Sequence, residues 1–188
     1  PGMQAELFTP ASGGPLLLCV SEPHRAPERW SPLRQRLLDN GYAVCMIALT
    51  PPAPAGHEQA WLELLPAFSR IIDAALARGL DTANVFAAGE GVAGSLALHL
   101  AVHDTRVQGV IVLSPALEAE GVQAASALTQ LKDCPVLLLS AENDTYGSSS
   151  AEALKSLAPG FSELRRFAGS AYGADILSAA PLSGAQAL

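Results

Sequence analysis

The sequence predicts an α/β fold, a three-layer sandwich in which a mostly parallel sheet of six to seven strands carries helices on both faces. Six short runs rich in β-branched residues or leucine alternate with segments whose apolar residues recur at helical spacing. Most of these runs are largely apolar, which is typical of strands buried on both sides of a parallel sheet. In chain order they are residues 16–20, 43–49, 84–88, 107–113, 136–140 and 163–167.

Helix boundaries are marked between these predicted strands. Pro32 is typical of a first helical turn, and Gly41 and Gly79 are typical of left-handed helix ends. Between residues 57 and 79, apolar side chains recur every three or four positions, which predicts a helix with one apolar face. Pro66 falls within this segment and should kink or divide the helix.

Length and charge limit the organisation and the partners. The 188 residues suffice for one buried core, so we expect a single domain over residues 3–188. Pro1 and Gly2 precede Met3 and are interpreted as an expression scar. A net charge of −7 argues against nucleic acid and anionic membranes, because both attract a basic surface. No apolar run approaches the roughly 20 residues that span a bilayer, so no membrane contact is expected.

Cysteine and histidine spacing predicts neither disulfides nor a metal site. Cys19, Cys45 and Cys134 lie in or beside apolar runs without paired spacing, which indicates buried free thiols and a cytoplasmic location. His99 and His103 are one helical turn apart, but no third ligand accompanies them. We therefore expect no metal and no cofactor.

The turn after the third predicted strand carries the strongest motif. Ligand sites of open parallel sheets lie beyond the carboxyl ends of the strands. There, residues 89–93 read Gly-Glu-Gly-Val-Ala and lead into a helical segment. A strand, a tight turn of small residues and a helix form the context of a nucleophile elbow.

This motif resembles the elbow of the α/β-hydrolase superfamily, in particular its cap-less esterases and dienelactone hydrolases. The turn looks like G-x-S-x-G with Gly91 in the position of the nucleophile. Residues 134–144 are similar to the strand and turn that present the family's acid, with Asp144 in that place. Asn143-Asp144 followed by Gly147 also indicates an ordinary turn in which the Asp144 carboxylate caps local backbone donors. Residues 163–173 look like the last strand and the histidine-bearing loop, with Tyr172 standing in for the base. The resemblance implies an α/β-hydrolase fold without a cap domain.

The side chains at the positions of the nucleophile and the base predict a catalytically inactive relative of these hydrolases. Glycine has no side-chain atom that could form the covalent intermediate of acyl transfer. A tyrosine is protonated near pH 7 and is a poor general base. We expect the Tyr172 ring to lie over Gly91 with its hydroxyl near Asp144. The expected pocket-lining residues are Ser21, Glu90, Val92 and Ser114.

The main functional hypothesis is binding or scaffolding through the former active-site face, with an unknown protein or a small apolar ligand as partner. One alternative is a weak esterase or thioesterase that uses a displaced nucleophile, Ser114 or Ser21, together with Asp144. Another is a homodimer without a ligand.

A last alternative is nucleotide binding, because Gly89-x-Gly91-x-x-Gly94 also satisfies the dinucleotide-binding fingerprint. The next predicted strand ends in Ser114-Pro115 and not in an acidic residue that could hold a ribose. Close packing of the helix against the strand explains these glycines more simply.

Overall fold

The computed structural model describes residues 2–10, 13–52 and 57–179. The strands are β1 Gly2–Phe8, β2 Pro15–Ser21, β3 Ala43–Thr50, β4 Asp81–Glu90, β5 Val107–Leu113, β6 Glu118–Ala119, β7 Val122–Gln123, β8 Val136–Ala141 and β9 Ser162–Phe167. The helices are α1 Ser31–Asp39, α2 Glu58–Leu62, α3 Leu65–Leu76, α4 Val92–His103, α5 Ala124–Leu128, α6 Thr145–Leu157 and α7 Ile176–Ala179. Short 3-10 helices occupy Pro27–Trp30 and Gly173–Asp175.

A seven-stranded sheet in the order β1-β3-β2-β4-β5-β8-β9 forms the middle layer. Neighbouring strands are parallel except for β1, which pairs antiparallel with β3 at one edge. Each of the six strands predicted from apolar runs is observed, in β2, β3, β4, β5, β8 and β9. The α/β prediction is therefore confirmed.

Strand β1 was not predicted from the sequence. Its middle residues Gln4, Ala5 and Glu6 are exposed, so the strand lacks the continuous apolar run of a buried one. Gly2, which was interpreted as part of an expression scar, pairs with Thr50 in this edge ladder. Pro1 lies outside the described residues.

Alternate residues of the central strand β2 face opposite layers, as the pleat of a strand requires. Leu16 and Leu18 join a core with side chains from α2 to α6, whereas Leu17 and Cys19 join a second core with Trp30 and with residues of α1 and α7. The predicted three-layer sandwich is thus observed.

Pro66 divides the predicted helix, as expected. Helix α2 ends at Leu62, and α3 begins at Leu65 with Pro66 in its first turn. Proline fits there because the first-turn amide needs no helical partner.

Asp104, just after α4, is a buried carboxylate with an arginine partner. Arg106 donates to it from Nε at 2.9 Å and from Nη2 at 2.7 Å, and the Ser69 hydroxyl donates at 2.8 Å. The hydrogen bonds from Arg106 hold the pKa of the Asp104 carboxyl at about 2. Charged Asp104 therefore connects α3, α4 and the start of β5.

Replacing this carboxylate should destabilise the fold in a pH-dependent manner. We expect Asp104→Asn to lower the free energy of unfolding by roughly 1–3 kcal/mol at pH 7. Because the folded pKa is depressed, the stabilisation is present above the unfolded pKa and is lost as the pH falls towards 2. Urea denaturation at pH 7 and pH 3 measures this, with exposed Asp133→Asn as control. An equal loss at both pH values would contradict a role of the charge.

Candidate active site

The predicted elbow is observed between β4 and α4. Strand β4 ends at Glu90, α4 begins at Val92, and Gly91 between them has φ 53° and ψ −125°. This backbone conformation is strained for a residue with a Cβ atom and is readily adopted by glycine. A Cβ on Gly94 would lie 2.5 Å from Val112 Cγ1, so the small residues let α4 approach the sheet closely.

The space above Gly91 is filled by side chains of the protein itself. A Cβ atom built on Gly91 would overlap the carboxylate of Glu22 and would lie 2.8 Å from the Tyr172 hydroxyl oxygen. The Tyr172 hydroxyl therefore lies next to Gly91. Glu22 was missed by sequence reasoning, although it directly follows β2, the neighbour of β4 in the sheet.

The Glu22 carboxylate is held by three groups. The Tyr172 hydroxyl donates a hydrogen bond to Oε2 at 3.2 Å, and Arg25 Nε lies 3.7 Å from the same oxygen. The backbone amide of Val92 also lowers the pKa of this carboxyl. Arg25 in turn stacks over the Tyr172 ring, with 4.5 Å between Cζ and the ring centroid. A carboxylate thus occupies the amide end of the elbow helix.

The electrostatics of this group keep Tyr172 protonated. Burial raises the pKa of the Tyr172 hydroxyl, and the negative charge of Glu22 raises it further. Burial also raises the pKa of Glu22. The Tyr172 hydrogen bond, the Arg25 charge and the Val92 amide lower this pKa and partly oppose the effect of burial. Tyr172 is accordingly a hydrogen-bond donor in this site and an even weaker base than a free tyrosine.

The expected contact between Tyr172 and Asp144 is not the one that forms. The hydroxyl donates to Glu22, and Asp144 caps α6 by accepting a 3.0 Å hydrogen bond from the Gly147 amide. Asp144 immediately precedes α6, where backbone amides have no helical partner, so its side chain satisfies a local donor.

All four predicted pocket-lining residues are buried, Val92 among them. Ser21, Glu90 and Ser114 are at most 2% exposed. The Ser21 hydroxyl accepts from the Trp30 indole at 3.2 Å, and the Ser114 hydroxyl accepts from the Gly173 amide at 2.9 Å. Both partners are N–H donors and not bases.

Glu90 connects the elbow to the segment that carries Tyr172. Its Oε2 atom accepts a 2.8 Å hydrogen bond from the Ala174 amide, whereas Oε1 has no partner in the described part of the chain. Burial raises the pKa of this carboxyl, against the Ala174 amide and the Arg25 charge, which lower it. Glu90 therefore has a structural contact that its position in the motif did not predict.

A cleft of about 240 Å³ opens beside Glu22. Val92, the remaining predicted pocket residue, lies in its wall, and Glu120 enters from the β6–β7 turn with φ 53°. Glu120 was also missed, because a two-stranded hairpin of four residues leaves no clear pattern in the sequence. The cleft is lined by Glu22, Pro23, His24, Pro51, Trp61, Val92 and Glu120.

The remaining sequence features stay outside this cleft. Among the residues that the structure describes, no three His, Cys, Asp or Glu side chains are grouped as metal ligands. His99 Nε2 lies 3.1 Å from the Gln123 carbonyl oxygen. Over the same ranges, no helix has the length and apolar character to cross a bilayer.

Comparison with known proteins shows the fold. Neither a protein-family model nor a curated protein sequence matches this chain. A dienelactone hydrolase from Anabaena variabilis has a TM-score of 0.65 and 20% identity over 88% of this chain and 80% of its own. A carboxylesterase from Nitrososphaera gargenis has a TM-score of 0.71 and 12% identity, with coverage of 89% and 86%. A cold-adapted esterase from an Arctic intertidal metagenomic library has a TM-score of 0.69 and 14% identity over 89% of this chain and 80% of its own.

These similar structures are named as hydrolases, and none of them supports the expectation of an inactive protein. Because their sequence identity to this chain is low, the similarity shows a shared fold and no more. The seven-stranded sheet and the tight turn at Gly91 between β4 and α4 agree with the same relationship. This protein has the α/β-hydrolase fold.

Proposed function

We propose that the crevice above the elbow binds a small molecule without hydrolysing it. The observation that carries this proposal is the occupation of the nucleophile's space: Gly91 has no reactive atom, and the Glu22 carboxylate and the Tyr172 hydroxyl fill the volume above it. The adjoining cleft of about 240 Å³ is concave and still open. Its volume is slightly below that of ordinary ligand pockets, which suits a small compound better than a protein partner.

The arrangement also removes two further requirements of ester hydrolysis. An ester oxyanion needs backbone amides that are free to bind it. Here the Val92 amide already acts on the Glu22 carboxylate. A general base must accept a proton near neutral pH, and the raised pKa of Tyr172 works against that.

The second candidate is a hydrolase with a displaced nucleophile, and the named activities of the similar structures favour it over an inactive protein. Ser114 is the better placed of the two serines, because it follows β5 beside the elbow and has a strained φ of 45°. Its hydroxyl would have to give up the Gly173 amide and find a base. Asp144, the acid first assigned to it, instead caps α6.

Labelling and turnover separate these candidates. The purified protein should remain unlabelled by a fluorophosphonate and should cleave p-nitrophenyl butanoate at the rate of buffer alone. Methyl butanoate should nevertheless shift the backbone amide resonances of Val92 and Glu120 in a saturable manner, because both residues line the cleft. Binding without turnover is the expected result.

The serine variants provide the control. Labelling or turnover that disappears in Ser114→Ala or Ser21→Ala would establish the hydrolase instead. Activity that survives in both variants would indicate a contaminating esterase.

We also propose a cytoplasmic location. Cys19, Cys45 and Cys134 are free thiols, as is usual in a reducing compartment.

A further inference from the structure

The groups around Glu22 form a site suited to a carboxylate in general. The Val92 amide lies at the start of the 12-residue helix α4, where the helix dipole and unpaired amides favour negative charge. The Tyr172 hydroxyl donates at 3.2 Å, and Arg25 adds a positive charge at 3.7 Å. We call these three groups, the Val92 amide, the Tyr172 hydroxyl and the Arg25 side chain, the anion cradle. A carboxylate is seated in it in this structure.

Glu22 is seated there without being sealed in. Its side chain is 26% exposed, and its flexible stem allows the carboxylate to move into water. Burial of Glu22 raises the pKa of this carboxyl, and the charge of Glu120 adds to the rise, which means that the charged form of Glu22 is only partly compensated. Moving the carboxylate into solvent would relieve this penalty and leave the cradle open.

The cleft beside the cradle can hold the rest of a ligand. Pro23 and Pro51 provide apolar surface next to Glu22 in the cleft of about 240 Å³, whose lining also includes the buried Trp61. A compound with a charged head in the cradle and a short apolar body in this cleft would fit both parts.

We propose that the anion cradle binds the carboxylate of a small organic acid, and that Glu22 is an internal competitor which this ligand displaces. The inference rests on the proposed binding function and names the chemical class of the ligand. An organic cation between Glu22 and Glu120 is the rival occupant, since both carboxylates line the cleft. The three cradle groups favour an anion, and the experiment below separates the two.

Three four-carbon probes differ mainly in charge: butanoate, butanamide and butylammonium. Glu22→Ala empties the cradle, so butanoate should bind roughly tenfold tighter to this variant than to the wild type. An internal competitor that blocks the site about nine-tenths of the time lowers the apparent affinity by that factor. The affinity for butanamide should rise only a little in Glu22→Ala, and butylammonium should bind this variant no more tightly than the wild type. Titrations followed by the Val92 amide resonance measure all three at pH 7.

Two variants test whether the cradle itself causes the gain. Glu120→Ala removes a carboxylate from the cleft but not from the cradle. The affinity for butanoate should therefore rise clearly less in Glu120→Ala than in Glu22→Ala. Tyr172→Phe in the Glu22→Ala background removes a donor and should cancel most of the gain. If Glu22→Ala is unfolded by circular dichroism, Glu22→Gln serves in its place and should give a gain in the same order of probes.

The inference is overturned if butanoate gains no more than butanamide when Glu22 is replaced. It is also overturned if butylammonium binds the wild type best and is lost with Glu22. Cleavage of methyl butanoate by the wild type would instead overturn the proposed function. The two failures are therefore distinguishable.

Discussion

Gly91→Ser should cost the protein roughly 2–6 kcal/mol of its free energy of unfolding and should not produce an esterase. The backbone at φ 53° accounts for about 1–3 kcal/mol of this loss once a Cβ is present. Overlap of the new side chain with Glu22 and Tyr172 adds about 1–3 kcal/mol, because a packed site relaxes only in part. Urea denaturation measures the loss, and p-nitrophenyl butanoate tests the activity.

Two comparisons separate strain from overlap. Gly41→Ser is the matched control, because Gly41 has φ 82° and an added Cβ would meet nothing within 4 Å. It should therefore show the backbone part of the loss alone. Combining Gly91→Ser with Glu22→Ala should recover stability relative to Gly91→Ser. The interpretation fails if Gly91→Ser and Gly41→Ser are equally destabilised.

Gly173→Ala should loosen the segment that carries Tyr172 and should lower the free energy of unfolding by roughly 2–6 kcal/mol. Gly173 has φ 58°, and its added Cβ would overlap the Glu90 carboxylate and lie 2.8 Å from Glu90 Cδ. The backbone part is about 1–3 kcal/mol and the overlap part is similar. Either Glu90 or the chain after Tyr172 must move, so the hydrogen bond from the Ala174 amide to Glu90 should be lost.

Hydrogen exchange of the Ala174 amide and urea denaturation measure this effect. Gly169→Ala is a control in the same segment, since Gly169 has φ 99° with nothing within 4 Å of an added Cβ. Gly169→Ala should destabilise without faster exchange at Ala174. Unchanged protection of the Ala174 amide in Gly173→Ala would refute the proposed docking of this segment on Glu90.

The buried strands and the edge strand β9 were predictable, and strand β1 and the β6–β7 hairpin were not. The strands in the middle of the sheet are covered on both faces, so burial demands the apolar runs from which they were predicted. Strand β1 is covered on one side only, and the β6–β7 hairpin is very short. Neither β1 nor the hairpin has a continuous apolar pattern, so neither was predicted. The position of Glu120, which lies in the turn of the hairpin, was therefore not predicted either.

Within the site, the elbow was predictable and the carboxylates were not. Gly91 follows from a local pattern of strand, turn and helix. Tyr172 and Glu22 are 150 positions apart, and no local pattern joins them. The local capping role predicted for Asp144 is confirmed, because it caps the helix that begins at the next residue, whereas its expected contact with Tyr172 does not form.

The sequence by itself determined the layered α/β fold and the chemistry that is missing at two positions. Apolar runs indicate which segments are buried, and the residue type at a position determines which reactive atoms are present there. Only the tertiary structure decided which groups fill the vacated space, because the strand order places the ends of β2 and β4 side by side and the segment after β9 contacts both. Contacts between such distant residues depend on that order and on side-chain packing, which a linear pattern does not contain.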